Sequence, residues 1–266
     1  MARAGSMKIL ILGGTADARH ICAQLHQNMP ALELIYSVAG LVRQPQVPAT
    51  VISGGFAQHG GLSHYCQAQN IRAIVDATHP YATTMAATAL ASSQQLGIRH
   101  WRFLRSPWQS QAGDQWHTFS STAGLLKAMQ GYTRILLTVG QVKPTQLDLL
   151  NQVPHVWLRT AVPPSVDLPS NVQWIKAIGP FDLANEQALL QQHQIQAIAS
   201  KNSGGEATSA KLTAARDQGI PVYMLQRPHI KQQNSAATFT SIEHLISQVS
   251  SWQQTLTTAP AVSTAI

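Results

Sequence analysis

The chain has 266 residues, enough for one large domain or two small ones, each with a sizeable hydrophobic core. Hydrophobic residues make up 44% of it and charged residues only 11%, a composition that excludes a mostly disordered chain and a coiled coil. The formal net charge is +7 without any sustained basic run, which argues against a nucleic-acid-binding tail. The apolar run at residues 9–12 is too short for a signal peptide or a membrane span, so we expect a cytoplasmic protein.

Short apolar runs rich in β-branched residues alternate with helical patterns along the chain. The first half predicts strands at 8–12, 33–38, 73–76 and 99–104, with helices at 17–27, 62–69 and 83–96. The second half predicts strands at 134–138, 156–159, 174–178, 197–200 and 222–225, with helices at 142–150, 183–192, 208–218 and 242–249. Continuous apolar strands between helices are typical of a parallel sheet that is covered on both faces.

The two halves also resemble each other. Gly13 follows the first strand of the first half, as Gly140 follows the first strand of the second. The polar turn at 76–81 likewise has its counterpart at 201–205. We infer an α/β protein of two doubly wound, Rossmann-like units that form an interdomain cleft. The predicted domains are residues 1–112 and 113–254, followed by a flexible tail at 255–266.

A glycine-rich turn follows the first predicted strand. Its candidate cofactor-binding residues are Gly13, Gly14, Thr15, Ala16 and Arg19. Gly13 occupies the first glycine position of a dinucleotide-binding turn, while Thr15 and Ala18 replace the second and third. The helix that follows offers free N–H groups to a pyrophosphate. A plain strand-to-helix turn that needs glycine for its backbone angles is the structural alternative.

The end of the second strand bears on the choice of cofactor. NAD sites usually place an acidic residue there for the ribose 2′-hydroxyl, whereas NADP sites supply arginine for the 2′-phosphate. This strand ends in Ser37, Ala39 and Gly40, and Arg43 follows, while Glu33 lies at the other end of the strand. We therefore expect NADPH, with Arg43 at the 2′-phosphate. An ordinary solvated loop arginine is the alternative.

A polar turn follows the apolar strand at 73–76. Its candidate residues are Ala77, Thr78, His79, Pro80 and Tyr81. They come at the carboxyl end of the sheet, where a nicotinamide would lie. His79 could position the reacting groups or donate a proton there. Alternatively, Thr78 or His79 caps the next helix, with Pro80 at its first position.

The corresponding turn of the second half is basic and rich in glycine. The candidate substrate-binding residues are Lys201, Asn202, Ser203, Gly204 and Gly205, with Thr208 and Lys211 from the next helix. Two glycines before a helix can form a nest of backbone N–H groups, and Lys201 adds a full charge beside it. We expect this turn to bind a carboxylate-bearing or phosphorylated ligand. A glycine-rich loop with solvated lysines is the alternative.

Together these strings resemble the precorrin-6A reductase family, which includes the cobalt-precorrin-6A reductases. In family order, they lie at 11–15, 18–19, 37–40, 54–56, 76–81, 201–205 with Lys211, and 227–228. Two positions depart from the family pattern. Asp17 replaces the common Glu, and Leu41 stands where an arginine often follows, with Arg43 two residues later.

The resemblance implies a reductase that uses NADPH to saturate one double bond of precorrin-6A or cobalt-precorrin-6A in cobalamin biosynthesis. It implies an NADP-binding first domain and a second domain that binds an anionic tetrapyrrole. From the composition and the apolar run lengths, we expect neither a nucleic-acid nor a membrane partner, and neighbouring enzymes of the pathway are candidate partners. No metal is expected, because Cys22 and Cys66 have no partner at zinc-ligand spacing.

Other classes of protein remain open from the residues alone. Another NADP-dependent reductase of an anionic small molecule would share the first turn, although the Tyr-x-x-x-Lys pair of short-chain reductases is absent. A non-catalytic nucleotide-sensing protein would carry the first turn without needing a second anion nest. A nucleic-acid binder fits the positive charge but lacks a basic stripe with aromatic residues.

Overall fold

The computed structural model describes residues 7–40, 44–228 and 237–258. The chain forms two compact units: unit 1 comprises Met1–Arg105 and Ile230–Ile266, and unit 2 comprises Ser106–His229. This division differs from the predicted domains, because the chain returns to the first unit after completing the second. The predicted tail also begins too early, since the last helix continues to Thr258.

Strands and helices alternate through most of the described residues. The strands are β1 (Lys8–Leu12), β2 (Glu33–Val38), β3 (Thr50–Ser53), β4 (Ile71–Asp76), β5 (Arg99–Phe103), β6 (Trp116–Phe119), β7 (Arg134–Thr138), β8 (His155–Thr160), β9 (Val172–Lys176), β10 (Ala197–Lys201), β11 (Val222–Leu225) and β12 (Ala237–Phe239). The helices are α1 (Ala16–Asn28), α2 (Leu62–Ala68), α3 (Thr83–Leu96), α4 (Thr122–Ala128), α5 (Leu147–Asn151), α6 (Leu183–Gln192), α7 (Ala210–Asp217) and α8 (Ile242–Thr258). None of the helices in the described part of the chain combines the length and apolar character that crossing a membrane requires.

Each unit contains one six-stranded parallel sheet. The strand order is β3-β2-β1-β4-β5-β12 in unit 1 and β9-β8-β7-β10-β11-β6 in unit 2. Strand order reverses beside β1 in one sheet and beside β7 in the other, and this is the point at which doubly wound sheets bind ligands. In unit 1, Leu12 pairs with Ser37 on one side and Asp76 on the other, so the turns after β1, β2 and β4 leave the same edge together. The predicted α/β class with two doubly wound parallel sheets is confirmed.

The edge strands β6 and β12 lie next to the two points at which the chain passes from one unit to the other. After β5 the chain enters unit 2 and forms β6, which pairs with β11. After β11 it returns to unit 1 and forms β12, which pairs with β5. β6, which follows β5 along the chain, is therefore an edge strand of the second sheet, and β12, which follows β11, is an edge strand of the first.

Two apolar layers enclose the sheet of unit 1. On one face, Ile9 and Ile11 of β1 pack with α1 and with Leu245 and Val249 of α8. On the other face, Leu10 and the neighbouring strands pack with α2 and α3. Alternate residues of a strand point to opposite faces, so a nearly continuous apolar β1 supplies both cores. In unit 2, residues of β7, β8, β10 and β11 pack in the same way against α6 and α7.

All nine predicted strands are present, but β3, β6 and β12 were missed, together with α4. The three missed strands lie at sheet edges, are three or four residues long, and are partly exposed. An edge strand covered on only part of its surface needs no apolar run, so it gives little periodic signal.

Candidate active site

The turn after β1 is shaped by Tyr36, a fully buried residue of β2. A Cβ atom at Gly13 would lie 2.3 Å from Tyr36 Cζ, so no other residue fits there without moving the ring. The Gly14 N–H donates to Tyr36 Oη at 3.2 Å, and Gly14 has a φ of +98°. No atom outside residues 13–15 lies within 4 Å of the position that a Gly14 Cβ would take, so the backbone can approach a ligand there.

Thr15 joins two of the turns at this edge. Its Oγ1 accepts from the Ala18 N–H at 3.0 Å, which caps α1, and donates to the Ala77 carbonyl at 2.9 Å, after β4. The Ala77 N–H in turn donates to the Leu12 carbonyl at 3.0 Å. Threonine at the second glycine position of the motif therefore holds the first turn against the third. Ala18, at the last glycine position, is fully buried, as close helix packing requires.

Three residues at the start of α1 are placed differently from one another. Asp17 forms an ion pair with Arg105, which follows β5. Arg19 is half-buried, whereas Ala16 is exposed at the first position of the helix. Pairing with Arg105 compensates the carboxylate of Asp17, which would otherwise oppose an anion bound at this helix end.

The turn after β2 lies beside the turn after β1. The Ser37 carbonyl accepts from the Gly13 N–H at 2.8 Å, and Ala39 and Gly40 are exposed. Glu33 lies at the opposite end of β2 and pairs with Lys8 Nζ at 3.0 Å. No carboxylate therefore occupies the described end of β2. Arg43 lies outside the described residues, and its role stays a prediction.

The turn after β4 is held by its own side chains. Asp76 Oδ1 accepts from both the Thr78 N–H at 3.1 Å and the Thr78 hydroxyl at 2.7 Å. His79 Nδ1 accepts from the Tyr81 N–H at 3.3 Å, and the two rings lie 5.6 Å apart. A neutral His79 therefore carries its proton on Nε2.

Neither Thr78 nor His79 caps the helix that follows this turn, which was the structural alternative. Helix α3 begins at Thr83, and its N-cap Ala82 has no side-chain cap, so neither Thr78 nor His79 serves that purpose. Pro80 is buried and precedes the helix by three residues instead of occupying its first position. The prediction that Pro80 occupies the first position of the helix is wrong, because the polar turn extends beyond the proline.

A buried polar cluster that the sequence analysis missed lies next to Asp76. Asp76 is 1% exposed, and its Oδ2 lies 3.8 Å from Arg102 Nε of β5. His100, two residues earlier on the same face of β5, is also buried, and this burial lowers its pKa. Arg and His at alternate positions of a central strand are a detectable signal, since such strands are ordinarily apolar on both faces.

The turn after β10 in unit 2 combines lysine and glycine as expected. Lys201 Nζ lies 3.1 Å from the position that a Cβ atom would take at Gly140, so the turns after β7 and β10 meet. Burial lowers the pKa of Lys201. Gly204 has a φ of +71°, and a Cβ there would lie 1.9 Å from the Ser106 carbonyl oxygen. Glycine is therefore required at 204 by the fold itself.

Several predicted substrate-binding groups of this turn contact protein. The side-chain amide of Asn202 accepts from the Trp108 N–H at 2.7 Å and donates to the Trp108 carbonyl at 3.1 Å. Arg227, absent from the predicted site, donates to the carbonyls of Asn202, Ser203 and Ser106. Ser203 is buried, Gly205 caps a short 3-10 helix, and Thr208 ends it. Asn202 and Arg227 thus fix the shape of the turn that presents Lys201.

Lys211 lies beneath this turn and is only 4% exposed. Its Nζ donates to the Thr208 carbonyl at 2.7 Å and lies 4.7 Å from the centre of the Trp108 ring. Burial lowers its pKa to about 7, and the nearby Arg159 adds to this, while Glu186 opposes it. These contacts give Lys211 a supporting place in the turn.

Comparison with known proteins identifies the family of this chain. The family model described as "Precorrin-6x reductase CbiJ/CobK" matches residues 8–250. The chain belongs to this family. Its members are oxidoreductases, and the resemblance seen in the sequence is confirmed.

Individual relatives agree with this membership. The precorrin-6A reductase of Rhodococcus erythropolis is 39% identical and covers 83% of this chain and 89% of its own. The cobalt-precorrin-6A reductase of Priestia megaterium is 25% identical, with coverages of 90% and 97%. A solved structure described as CobK precorrin-6A reductase is 31% identical, with a TM-score of 0.81, and covers 92% of this chain and 96% of that one.

Replacing Lys211 with methionine should change how the stability of this reductase depends on pH. Because the pKa is about 7 in the folded chain, the unfolded chain binds more protons from there up to the ordinary lysine value of 10.5. The free energy of unfolding of the wild type should therefore rise with pH across this interval relative to Lys211→Met. Urea melts measure the difference, with exposed Lys127→Met as the control. Parallel pH profiles for wild type and Lys211→Met would contradict the expected protonation.

Proposed function

We propose that this chain uses NADPH to reduce one double bond of precorrin-6A, or of its cobalt complex, in cobalamin biosynthesis. The observation that carries the proposal is the linked set of turns after β1, β2 and β4, at the edge where a doubly wound sheet binds dinucleotides. The names of the relatives, precorrin-6A reductase and cobalt-precorrin-6A reductase, supply the substrate.

The residues of unit 1 fit a bound dinucleotide. The N–H groups at the start of α1 and the open space over Gly14 suit a pyrophosphate. The described end of β2 has no carboxylate to repel a 2′-phosphate, which favours NADPH over NADH. On the other side of β1, Thr78, His79 and Tyr81 would hold the nicotinamide half.

Hydride transfer requires the protein to position cofactor and substrate more than it requires a strong acid or base. When bound, NADPH supplies a hydride, and one proton from water or substrate completes the saturated bond. His79 accepts from the Tyr81 N–H through Nδ1, so its neutral form presents an N–H at Nε2 that can orient a polar group. Releasing that proton would leave an imidazolate, so His79 is assigned a positioning role.

The substrate carries several acetate and propionate carboxylates, and the turn after β10 suits such a group. Lys201 supplies a charge that is partly desolvated, where an ion pair is stronger than in water. Arg227 and Asn202 hold the backbone beneath it. A protein surface with a net charge of +7 also favours the approach of a polyanion.

The direct test is anaerobic incubation of the purified chain with precorrin-6A, and separately with its cobalt complex, while NADPH absorbance is followed. Loss of absorbance with either tetrapyrrole, and a product heavier by two hydrogens, is the expected result. Absence of oxidation with both substrates would overturn the proposal.

Arg43→Ala should weaken NADPH binding by about 1.5–3 kcal/mol, the scale of a hydrogen bond to a charged group, and leave NADH binding nearly unchanged. Calorimetric titration of both cofactors measures the effect. Arg99→Ala is the matched control, because Arg99 is exposed at the amino end of β5. Equal losses for NADPH and NADH would remove Arg43 from the 2′-phosphate.

Lys201→Ala should raise KM for the tetrapyrrole by roughly tenfold or more and leave the Kd of NADPH unchanged. Because the pKa of Lys201 is lowered, its ammonium is lost at a lower pH than in a free lysine. Substrate affinity of the wild type should therefore fall as pH rises through that pKa, and the fall should be absent in Lys201→Ala. Lys127→Ala serves as the control. A collapse of NADPH affinity would instead place this turn at the cofactor.

His79→Asn should lower kcat by less than about 10²-fold, because asparagine can still accept from the Tyr81 N–H and general acid catalysis is worth ~10²–10⁴-fold. Single-turnover hydride transfer, followed from acid to alkaline pH, measures the loss. A larger loss, accompanied by disappearance of an ionisation near neutral pH, would make His79 the proton donor.

A further inference from the structure

The hydroxyl of Thr78 has a fixed direction of donation. A threonine hydroxyl has one proton and can accept through its oxygen lone pairs. In Thr78 that proton is directed to Asp76 Oδ1 at 2.7 Å, and the same oxygen also receives the Thr78 N–H. An ionised carboxylate only accepts, so it cannot return a proton to the threonine. Toward any ligand, Thr78 Oγ1 therefore acts as a hydrogen-bond acceptor.

The surroundings of Asp76 keep this polarity in place. The Asp76 side chain is almost completely buried at the end of β4, and its Oδ2 faces the guanidinium of Arg102 at 3.8 Å. Because this carboxylate is buried, water cannot compete for its hydrogen bonds. Ala77, between the two partners, is anchored through its carbonyl by Thr15, so Thr78 has little freedom to turn away.

The position of Thr78 restricts which part of the cofactor it can meet. It follows β4, on the side of β1 opposite β2, whose end is the site for the adenosine ribose in a doubly wound sheet. The half of the dinucleotide beyond the pyrophosphate on the β4 side is the nicotinamide. Its carboxamide carries an NH₂ group that only donates, whereas its ribose hydroxyls can donate or accept.

We propose that Asp76 is a positioning residue for the cofactor, which orients Thr78 Oγ1 to accept a hydrogen bond from the nicotinamide carboxamide. This inference rests on the proposed use of NADPH and goes beyond it by assigning one donor on the cofactor to one acceptor on the chain. The carboxamide would thereby set which face of the ring is presented to the substrate.

The test compares the binding of NADPH with that of its reduced 3-acetylpyridine analogue, in which a methyl group replaces the NH₂. Calorimetric Kd values for the wild type should favour NADPH by about 3–10-fold, the range of one neutral hydrogen bond. In Thr78→Val the ratio should fall to within about twofold, because only NADPH loses a partner. Thr78→Ser should keep the wild-type ratio, and exposed Thr84→Val is the control.

Asp76→Asn tests the positioning role separately. It leaves Thr78 in place but weakens the hydrogen bond that the Thr78 hydroxyl donates to residue 76. The ratio should fall below that of the wild type. Since Arg102 would then lack its carboxylate, Asp76→Asn combined with Arg102→Gln removes both charges and provides a second variant that leaves no unpaired buried ion. Tm and circular dichroism verify that each variant is folded.

The outcomes separate the inference from the function on which it rests. A wild-type ratio in Thr78→Val removes the contact between Thr78 and the carboxamide. A wild-type ratio in both Asp76 variants, with the expected loss in Thr78→Val, removes the role of Asp76. If the wild type binds neither NADPH nor the analogue, the proposed function itself fails.

Discussion

The hydrogen bonds of the Thr15 hydroxyl hold the candidate cofactor site together. One oxygen caps α1 and binds the carbonyl of the turn after β4, so the two elements at the switch point of the sheet share a partner. Tyr36 also supports the turn after β1. Its ring fills the space beside Gly13, and its Oη accepts a hydrogen bond from the Gly14 N–H. Burial raises the pKa of Tyr36, which keeps its phenol neutral for this purpose. The turn is therefore specified by packing and hydrogen bonding before any ligand is bound.

The sequence predicts the centre of each sheet much better than its edges. Strands such as β1 and β10 are apolar throughout because helices cover both of their faces, and this leaves an unmistakable pattern. The edge strand β6 contains two exposed residues out of four, so hydrophobicity does not mark it. The return of the chain to unit 1 is equally invisible, since β12 lies far along the chain from its partner β5. Strand pairing at that range is decided by tertiary structure.

For the candidate site, sequence reasoning located turns correctly but could not divide their residues between ligand and protein. Lys201 and Asn202 are neighbours in the motif, yet Asn202 binds the backbone of Trp108 while Lys201 reaches the turn after β7. Lys211 has the sequence position of a surface lysine in a first helical turn, but its Nζ is buried 4.7 Å from the centre of the Trp108 ring. The polar neighbours of Asp76 come from β5, and no local spacing rule connects them to the turn.

The late position of β12 in the chain has a consequence for the synthesis of this protein. During translation, β1 to β5 emerge from the ribosome long before β12. The backbone groups on the β5 edge of the first sheet therefore stay unpaired until the whole of unit 2 has been synthesised. The second sheet has no such delay, because β6 precedes its other strands. Dividing the gene after β5 would give two fragments. The first would have an unpaired β5 edge, and the second would carry β12 without the strand that it pairs with. An isolated unit 1 would need a direct genetic fusion of the segment containing β12 and α8 to the end of β5.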